Sequence, residues 1–247
     1  MKEEIKIIPK KEMPSMRRKI NALARASYPD FVLWENATLQ YWDKIYSDFI
    51  DYQIIFYAGQ KLAAIVNSIP VFVPDKTISL PDEGWDWALA TGCNQHDEKI
   101  KPNTLIGLSI VVAPEMRGAG LGKLCLLEFK NLAKRKNLKK AYIPVRPTKK
   151  ADFPKIPFGK YINKKADGKY LDPWLNLHYR SGGKFIGICR KSMRTETDIK
   201  TWESWTGKKF AKSGKYEIKG ALSKIIINKK NDKGIYLEPN VWIEHTV

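Results

Sequence analysis

The stretch IVVAPEMRGAGLGKLCL, residues 110–126, holds the pattern that decides the fold of this 247-residue chain. An apolar run typical of a buried strand stops at Pro114, three alternate glycines follow, and an apolar helix pattern begins at once. Such a turn places free backbone N–H groups at the positive N-terminus of a helix, here beside Arg117 and Lys123. A Cβ in the turn would forbid its dihedrals or keep phosphate oxygens away from the amides. The stretch therefore predicts a pyrophosphate-binding loop, and a glycine-rich turn without a ligand is the structural alternative.

Strand and helix patterns surround this stretch without strict strand–helix–strand alternation. Residues 147–172 are rich in Pro, Gly and Lys and are predicted to form a long loop that serves a site. The mixture favours an α+β fold with a mixed sheet. Strands are predicted at 4–10, 52–73 (a hairpin turning at Gly59-Gln60), 103–113, 140–147, 184–189 and 220–245 (a second hairpin), and helices at 12–27, 37–50, 84–98, 120–136, 173–181 and 198–205.

The positive charge of the chain lies in its later part. Residues 1–100 hold 12 Lys and Arg against 14 Asp and Glu, a net charge of −2, whereas residues 101–247 hold 32 against 12, a net charge of +20. A field of that sign favours phosphorylated cofactors, acidic proteins or nucleic acid as partners. Lysines outnumber arginines 35 to 9. Since proteins that read bases and phosphates rely on Arg for bidentate contacts, nucleic acid is not the expected partner.

Cysteine usage and hydropathy exclude several other classes. Cys93, Cys125 and Cys189 form no CxxC pair, so neither a disulfide framework nor a zinc site is predicted, and we expect no metal. No stretch approaches the roughly 18 uncharged apolar residues of a membrane span, and the first residues lack the apolar segment of a secretory signal. We therefore expect a cytoplasmic protein that does not contact membranes.

The glycine stretch resembles motif A of the GNAT superfamily of acyl-CoA-dependent acetyltransferases. That motif reads V-x-P-x-x-R-G-x-G-x-G at the end of the fourth strand, and residues 112–122 fill every fixed position. It differs from the dinucleotide fingerprint G-x-G-x-x-G, and it is not a P-loop because Leu124 stands where Ser or Thr would follow Gly122-Lys123. The resemblance implies a mixed, mostly antiparallel sheet flanked by helices. Its fifth strand, residues 142–145 here, is expected to splay away from the fourth and open a slot for the acyl group.

The same resemblance implies that acetyl-CoA or another acyl-CoA is the co-substrate. In the family the loop amides hold the CoA pyrophosphate, and the backbone of the preceding strand pairs with the pantetheine arm and the acyl carbonyl. Carried over to this chain, the expected CoA-binding residues are Ile110, Val111, Val112, Arg117, Gly118, Ala119, Gly120, Leu121, Gly122 and Lys123.

The C-terminal half resembles a narrower group, which includes long stand-alone bacterial proteins and the GNAT-like loading domains of polyketide synthases. Those loading domains decarboxylate malonyl-CoA and pass the acetyl group to an acyl carrier protein. Their catalytic pair is a Thr at the end of the fifth strand and a His in the following helix, and Thr148 and His178 fall at matching places. Decarboxylation builds negative charge on the thioester oxygen, which a hydroxyl or imidazole donor would stabilise.

The general acid has two candidates in this reading. Ordinary GNAT enzymes carry a Tyr on that helix, four residues before a Gly-aromatic pair, which protonates the departing CoA thiolate. His178 falls at this place, but Gly182-Gly183 permits a shift of one residue that makes Tyr179 the candidate instead. A lone His is also often a satisfied structural residue, so a structural role for His178 stays open.

Three functions are compatible with these residues. The first is transfer of an acetyl or short acyl group from CoA to an unidentified acceptor such as an amine. The second is decarboxylation of malonyl-CoA with transfer to an acyl carrier protein, for which the basic half would offer a surface. The third is CoA binding without catalysis. We expect one GNAT-like domain over residues 1–247, with a core of about 1–190 and a C-terminal extension of about 191–247.

Overall fold

Nine strands form one mixed sheet in the residues that the computed structural model describes, which are 4–8, 12, 14–77 and 79–247. They are β1 (Ile5–Ile7), β2 (Ile54–Ala58), β3 (Lys61–Val71), β4 (Thr104–Val112), β5 (Lys140–Val145), β8 (Lys184–Thr197), β9 (Gly214–Tyr216), β10 (Ile225–Asn228) and β11 (Lys233–His245). Their order is β1-β2-β3-β4-β5-β11-β10-β9, and β8 pairs with β11 along most of its length. β6 (Lys165–Ala166) and β7 (Lys169–Tyr170) form a separate hairpin.

Helices cover both faces of the sheet. They are α1 (Arg17–Arg25), α2 (Asp30–Leu33), α3 (Asn36–Ile45), α4 (Gly84–Asp97), α5 (Leu121–Arg135), α6 (Phe158–Ile162), α7 (Pro173–Arg180) and α8 (Ile199–Thr206). Residues of α1–α4 and α8 pack into one apolar cluster, and residues of α5–α7 pack into a second. The sheet is therefore the middle layer of an α+β fold, as predicted. Among the described residues, no helix is long and apolar enough to cross a membrane.

The two clusters follow from the alternation of side chains along each strand. In β2, Ile55 and Tyr57 belong to the cluster on the α1–α4 face, whereas Ile54 and Phe56 belong to the cluster on the α5 face. Because both faces are covered, the strand is apolar at every position rather than alternately polar.

β4 and β5 are parallel neighbours that diverge after a short ladder, as the family resemblance implied. Their ladder runs only from Thr104↔Lys140 to Ile106↔Tyr142. Immediately beyond it β4 contains a bulge, because Asn67 pairs with Ser109 and Ser68 pairs with Gly107, which leaves Leu108 as an extra residue. The remaining residues of the two strands diverge and leave an opening in the sheet.

Most predicted elements are present, and their bounds differ where loops contain short structures. The motif helix and the helix after Asp172 are confirmed, as α5 and α7. The helix expected over 12–27 is only Arg17–Arg25, after a 3-10 turn at Pro14–Met16, and Met13 lies outside the described residues. The helix expected over 37–50 ends at Ile45. The loop expected over 147–172 contains α6 and the small hairpin.

The C-terminal residues complete the sheet rather than follow it. β8, expected to end at Cys189, continues to Thr197, so the proposed boundary near residue 190 falls inside a strand. β11 pairs with β5 from Val241↔Val145 to His245↔Ala141 and so lies on the side of β5 away from the opening between β4 and β5.

Candidate active site

A cavity of about 1160 Å³ opens where β4 and β5 diverge. Its wall includes the glycine loop and the start of α5 on one face of the sheet, and residues of α1–α4 on the other. The diverging strands contribute Ser109–Val112 from β4 and Ile143–Val145 from β5. One continuous space therefore joins the predicted phosphate-binding loop to the opposite side of the sheet.

The glycine loop has the geometry that the sequence predicted. Gly118 has a φ of +84° and Gly120 a φ of +87°, and a Cβ at either position would meet nothing within 4 Å. Glycine is required there by backbone conformation, and the space above the turn is open to a ligand. Gly120 also caps α5, whose first turn points its free N–H groups toward the cavity wall.

The third glycine serves packing between helices. A Cβ on Gly122 would lie 2.9 Å from Leu177 and 3.2 Å from Trp174, so this glycine lets α7 lie directly against α5. The Asp172 carboxylate caps α7 by accepting the N–H groups of Trp174 and Leu175, each at 3.0 Å. The same carboxylate accepts the Lys149 N–H at 2.8 Å, which fixes the loop that carries Thr148 beside the helix.

The three residues predicted to be catalytic lie in different environments. Thr148 lines the cavity. His178 is 0% exposed and Tyr179 stacks on Tyr170 with ring centroids 4.1 Å apart. The residues of α7 on the cavity wall are Pro173, Trp174, Asn176, Leu177 and Arg180, so the structure does not bring Thr148, His178 and Tyr179 together around one space.

His178 instead belongs to a buried pair of histidines. Its Nδ1 lies 2.9 Å from Nε2 of His245 in β11, so one of these nitrogens donates to the other. Its ring also packs edge-on against Trp174. Burial and the neighbouring His245 lower the pKa of His178 well below its usual value, and burial lowers that of His245 to about 4. Both imidazoles are therefore neutral at neutral pH.

The end of the cavity on the α1–α4 face is aromatic. Tyr28, Trp34, Trp42 and Trp85 all line it, and Trp42 stacks on Trp85 with centroids 5.8 Å apart. Asp43 lies on the same wall, where its carboxylate pairs with the Arg17 guanidinium. Aromatic faces are groups that bind a cation.

Two buried carboxyl groups each follow one of these tryptophans in the sequence. Glu35 is 0% exposed and caps α3 by accepting the N–H groups of Ala37 and Thr38. Asp86 accepts the Arg194 N–H at 2.8 Å through Oδ2, and its carboxyl also shares a hydrogen bond with that of Glu35. Burial raises the pKa of both groups, and the charge of Glu35 raises that of Asp86 further. Asp86 is therefore protonated at neutral pH.

This pair predicts a specific pH dependence of stability. Because the folded protein holds a proton on Asp86 that the unfolded chain releases above about pH 4, the free energy of unfolding should fall as pH rises toward the folded pKa. Asp86→Asn removes that linkage. We expect the free energy of unfolding of the variant in urea, taken relative to that of the wild type, to increase by more than about 1 kcal/mol between pH 5 and pH 8. Parallel pH profiles of the two proteins would contradict the assignment.

Other residues of the cavity wall belong to no local motif by which the sequence could have identified them. Arg146 follows β5 and pairs with Glu238 of β11, its Nε lying 2.9 Å and 3.0 Å from the two carboxylate oxygens. Asn240 lines the cavity two residues later. Burial raises the pKa of the Tyr28 phenol, which stays protonated. The register of β11 against β8 shifts between Glu238 and Asn240.

The described residues contain no group of three or more His, Cys, Asp or Glu that could hold a metal ion. The cysteines Cys93, Cys125 and Cys189 are buried and free, and burial raises the pKa of each thiol.

One curated protein matches the chain over nearly its full length. It is the arginine N-acetyltransferase avaD of Aspergillus versicolor, which is 28% identical over 249 residues, covering 89% of this chain and 85% of the relative. No protein-family model matches the chain.

Two solved structures share the fold over almost the whole chain. The loading GNATL domain of CurA from Lyngbya majuscula superposes with a TM-score of 0.59 at 14% identity, covering 98% of this chain and 96% of that one. The GphF GNAT-like decarboxylase in complex with isobutyryl-CoA gives a TM-score of 0.58 at 13% identity, covering 98% of each chain.

Proposed function

We propose that the chain is an acyltransferase of the GNAT type that transfers an acetyl or short acyl group from CoA to an amino group of a small cationic acceptor. The observation that carries the proposal is the continuous cavity that joins the glycine loop to an aromatic end. Arginine, named for the curated relative, is the first acceptor to test.

The CoA end of the proposal rests on the loop and its charges. The left-handed Gly118 and Gly120 leave room for the pyrophosphate at the N-terminus of α5. Lys123 and Arg180 lie on the same wall and offer cations to CoA phosphates. An acyl-CoA bound there reaches the opening between β4 and β5 with its thioester, where the unpaired stretch of β4 can hydrogen-bond the pantetheine arm.

The acceptor end rests on aromatic faces. A guanidinium or ammonium group over Trp34 or Trp42 gains on the order of 0.5–2 kcal/mol from the ring. Attack on a thioester requires an uncharged amine, whereas the second cationic group of such an acceptor can stay charged in the aromatic end. This division suits a molecule with two basic groups.

The second candidate, a malonyl-CoA decarboxylase that loads an acyl carrier protein, is less well supported. The catalytic pair that the resemblance implies for this activity is Thr148 and His178. Thr148 lines the cavity, but the His178 imidazole is fully buried against His245. The two structural neighbours that suggest this activity are too distant in sequence to carry it to this chain. A CoA-binding module without catalysis would leave the aromatic end without a role.

The proposal is tested by incubating the protein with acetyl-CoA or malonyl-CoA, with and without arginine. We expect thiol release from acetyl-CoA that depends on arginine and yields a monoacetylated product in the mass spectrum. Leucine, which has an α-amino group but no second cation, serves as the matched acceptor and should react more slowly. Loss of the malonyl carboxylate without any amine would instead favour the decarboxylase.

The Trp34→Leu variant separates cation recognition from CoA binding in the same assay. Trp34 is 44% exposed and lines the cavity, so its replacement should not impair folding. We expect kcat/KM for arginine to fall about fivefold to tenfold, the effect of roughly 1 kcal/mol, and acetyl-CoA affinity to stay the same. Trp205→Leu, outside the cavity wall, is the matched control. An equal loss for arginine and leucine would contradict a cation site at Trp34.

A further inference from the structure

Asn240 has a buried oxygen atom that no group of the described residues satisfies. Its side chain is 1% exposed and lines the cavity. It follows an irregularity in which β8 advances four residues, from Met193 to Cys189, while β11 advances two, from Glu238 to Asn240. Irregularities of this kind redirect a side chain relative to a regular strand.

The orientation of the Asn240 amide is set by its neighbours. Nδ2 donates to the Pro144 carbonyl oxygen at 3.3 Å, while Oδ1 has no hydrogen-bond partner among the described residues. The reversed amide would place two acceptors against each other and leave the donor unpaired. An unpaired buried acceptor costs about 1–3 kcal/mol, so a donor from a bound ligand is the missing partner.

The position of Asn240 identifies that ligand group. The neighbouring wall is formed by Ile143, Pro144 and Val145, the part of β5 that has left β4. In the proposed function the pantetheine arm lies along β4. The hydrogen-bond donor that faces β11 therefore belongs to the amine that accepts the acyl group. The acyl carbonyl oxygen is itself an acceptor and cannot bond to Oδ1.

Resting on the proposed function, we propose that Asn240 Oδ1 accepts a hydrogen bond from the N–H of the attacking amine and orients its lone pair toward the acyl carbon. A carboxamide is too weak a base to remove the proton, so Asn240 positions the nucleophile and does not act as general base. The acceptor must keep an N–H beside its lone pair, which restricts it to primary and secondary amines.

The Asn240→Leu variant tests this role because it keeps the approximate size and removes the acceptor atom. We expect kcat/KM for the amine to fall about 10-fold to 100-fold, the effect of one hydrogen bond to a reacting group. The acetyl-CoA dissociation constant should stay within twofold of wild type, because the proposed hydrogen bond is made to the amine. Asn163→Leu, the same change at an exposed position away from the cavity, is the matched control.

The Asn240→Asp variant supplies a readout that a structural role would not change. Its carboxylate still accepts a hydrogen bond but also stabilises the ammonium form of the amine, so the pH at which the rate reaches its plateau should shift upward. An Asn240→Leu variant within twofold of wild type for the amine, or an Asn240→Asp variant with an unshifted pH profile, would overturn the inference. A wild-type protein that acylates no amine would overturn the proposed function itself, which is a separate result.

Discussion

The Gly120→Asp variant is expected to lose acyl-CoA binding while remaining folded. Gly120 has a φ of +87° and no atom within 4 Å of an added Cβ, so the new side chain projects into the space where the pyrophosphate is expected. Its carboxylate would bring a negative charge beside two phosphates, and juxtaposed like charges cost several kcal/mol. We expect acetyl-CoA affinity, measured by calorimetry, to fall more than about 100-fold.

The matched control for this variant is Gly168→Asp in the turn between β6 and β7. Gly168 has a φ of +73° and equally open surroundings, and it does not line the cavity. Both variants therefore carry the same backbone strain, on the order of 1 kcal/mol for a non-glycine residue in the left-handed region. A folded Gly120→Asp protein with unchanged affinity would refute the loop as the pyrophosphate site.

The glycine loop could be predicted because its requirements are local. The positive φ of Gly118 and Gly120 and the start of the next helix depend on consecutive residues, whose spacing matches the motif. Gly122 was predicted with them but has a second reason, since Leu177 packs against it from a helix 55 residues later. Sequence alone could not reveal that contact, because it depends on how α7 docks onto α5.

The same docking decides which residues of α7 face the cavity. Thr148 lies on the cavity wall, in the loop that follows the end of β5 at Val145. The faces taken by His178 and Tyr179 depend on the rotation of α7, which the Asp172 cap and the contact with Gly122 set. Their catalytic roles stay predictions. The aromatic end was not predictable because its members come from separate elements that only the folded chain brings together.

The buried pair of Arg146 and Glu238 supports the largest expected loss of stability. Glu238 is 0% exposed, and its two oxygens share the Arg146 Nε–H while one of them also accepts the Tyr236 hydroxyl at 2.8 Å. Arg146→Met leaves that carboxylate buried with the hydroxyl as its remaining donor. Removing one partner of a buried ion pair typically costs about 3–5 kcal/mol, a large part of the 5–15 kcal/mol that stabilises an ordinary domain.

The two single substitutions should differ in their cost, because the two partners differ in access to solvent. Arg146 lines the cavity and keeps 18% of its side chain exposed, so water can solvate its guanidinium when Glu238 is replaced. Glu238 is fully buried, so water cannot solvate its carboxylate when Arg146 is replaced. In urea unfolding of the protein without CoA, we expect Arg146→Met to cost more than Glu238→Gln, and Arg146→Met with Glu238→Leu to recover most of the loss. Equal costs for the two single variants, or a double variant no more stable than Arg146→Met, would mean that the buried charge of Glu238 is not what destabilises the protein.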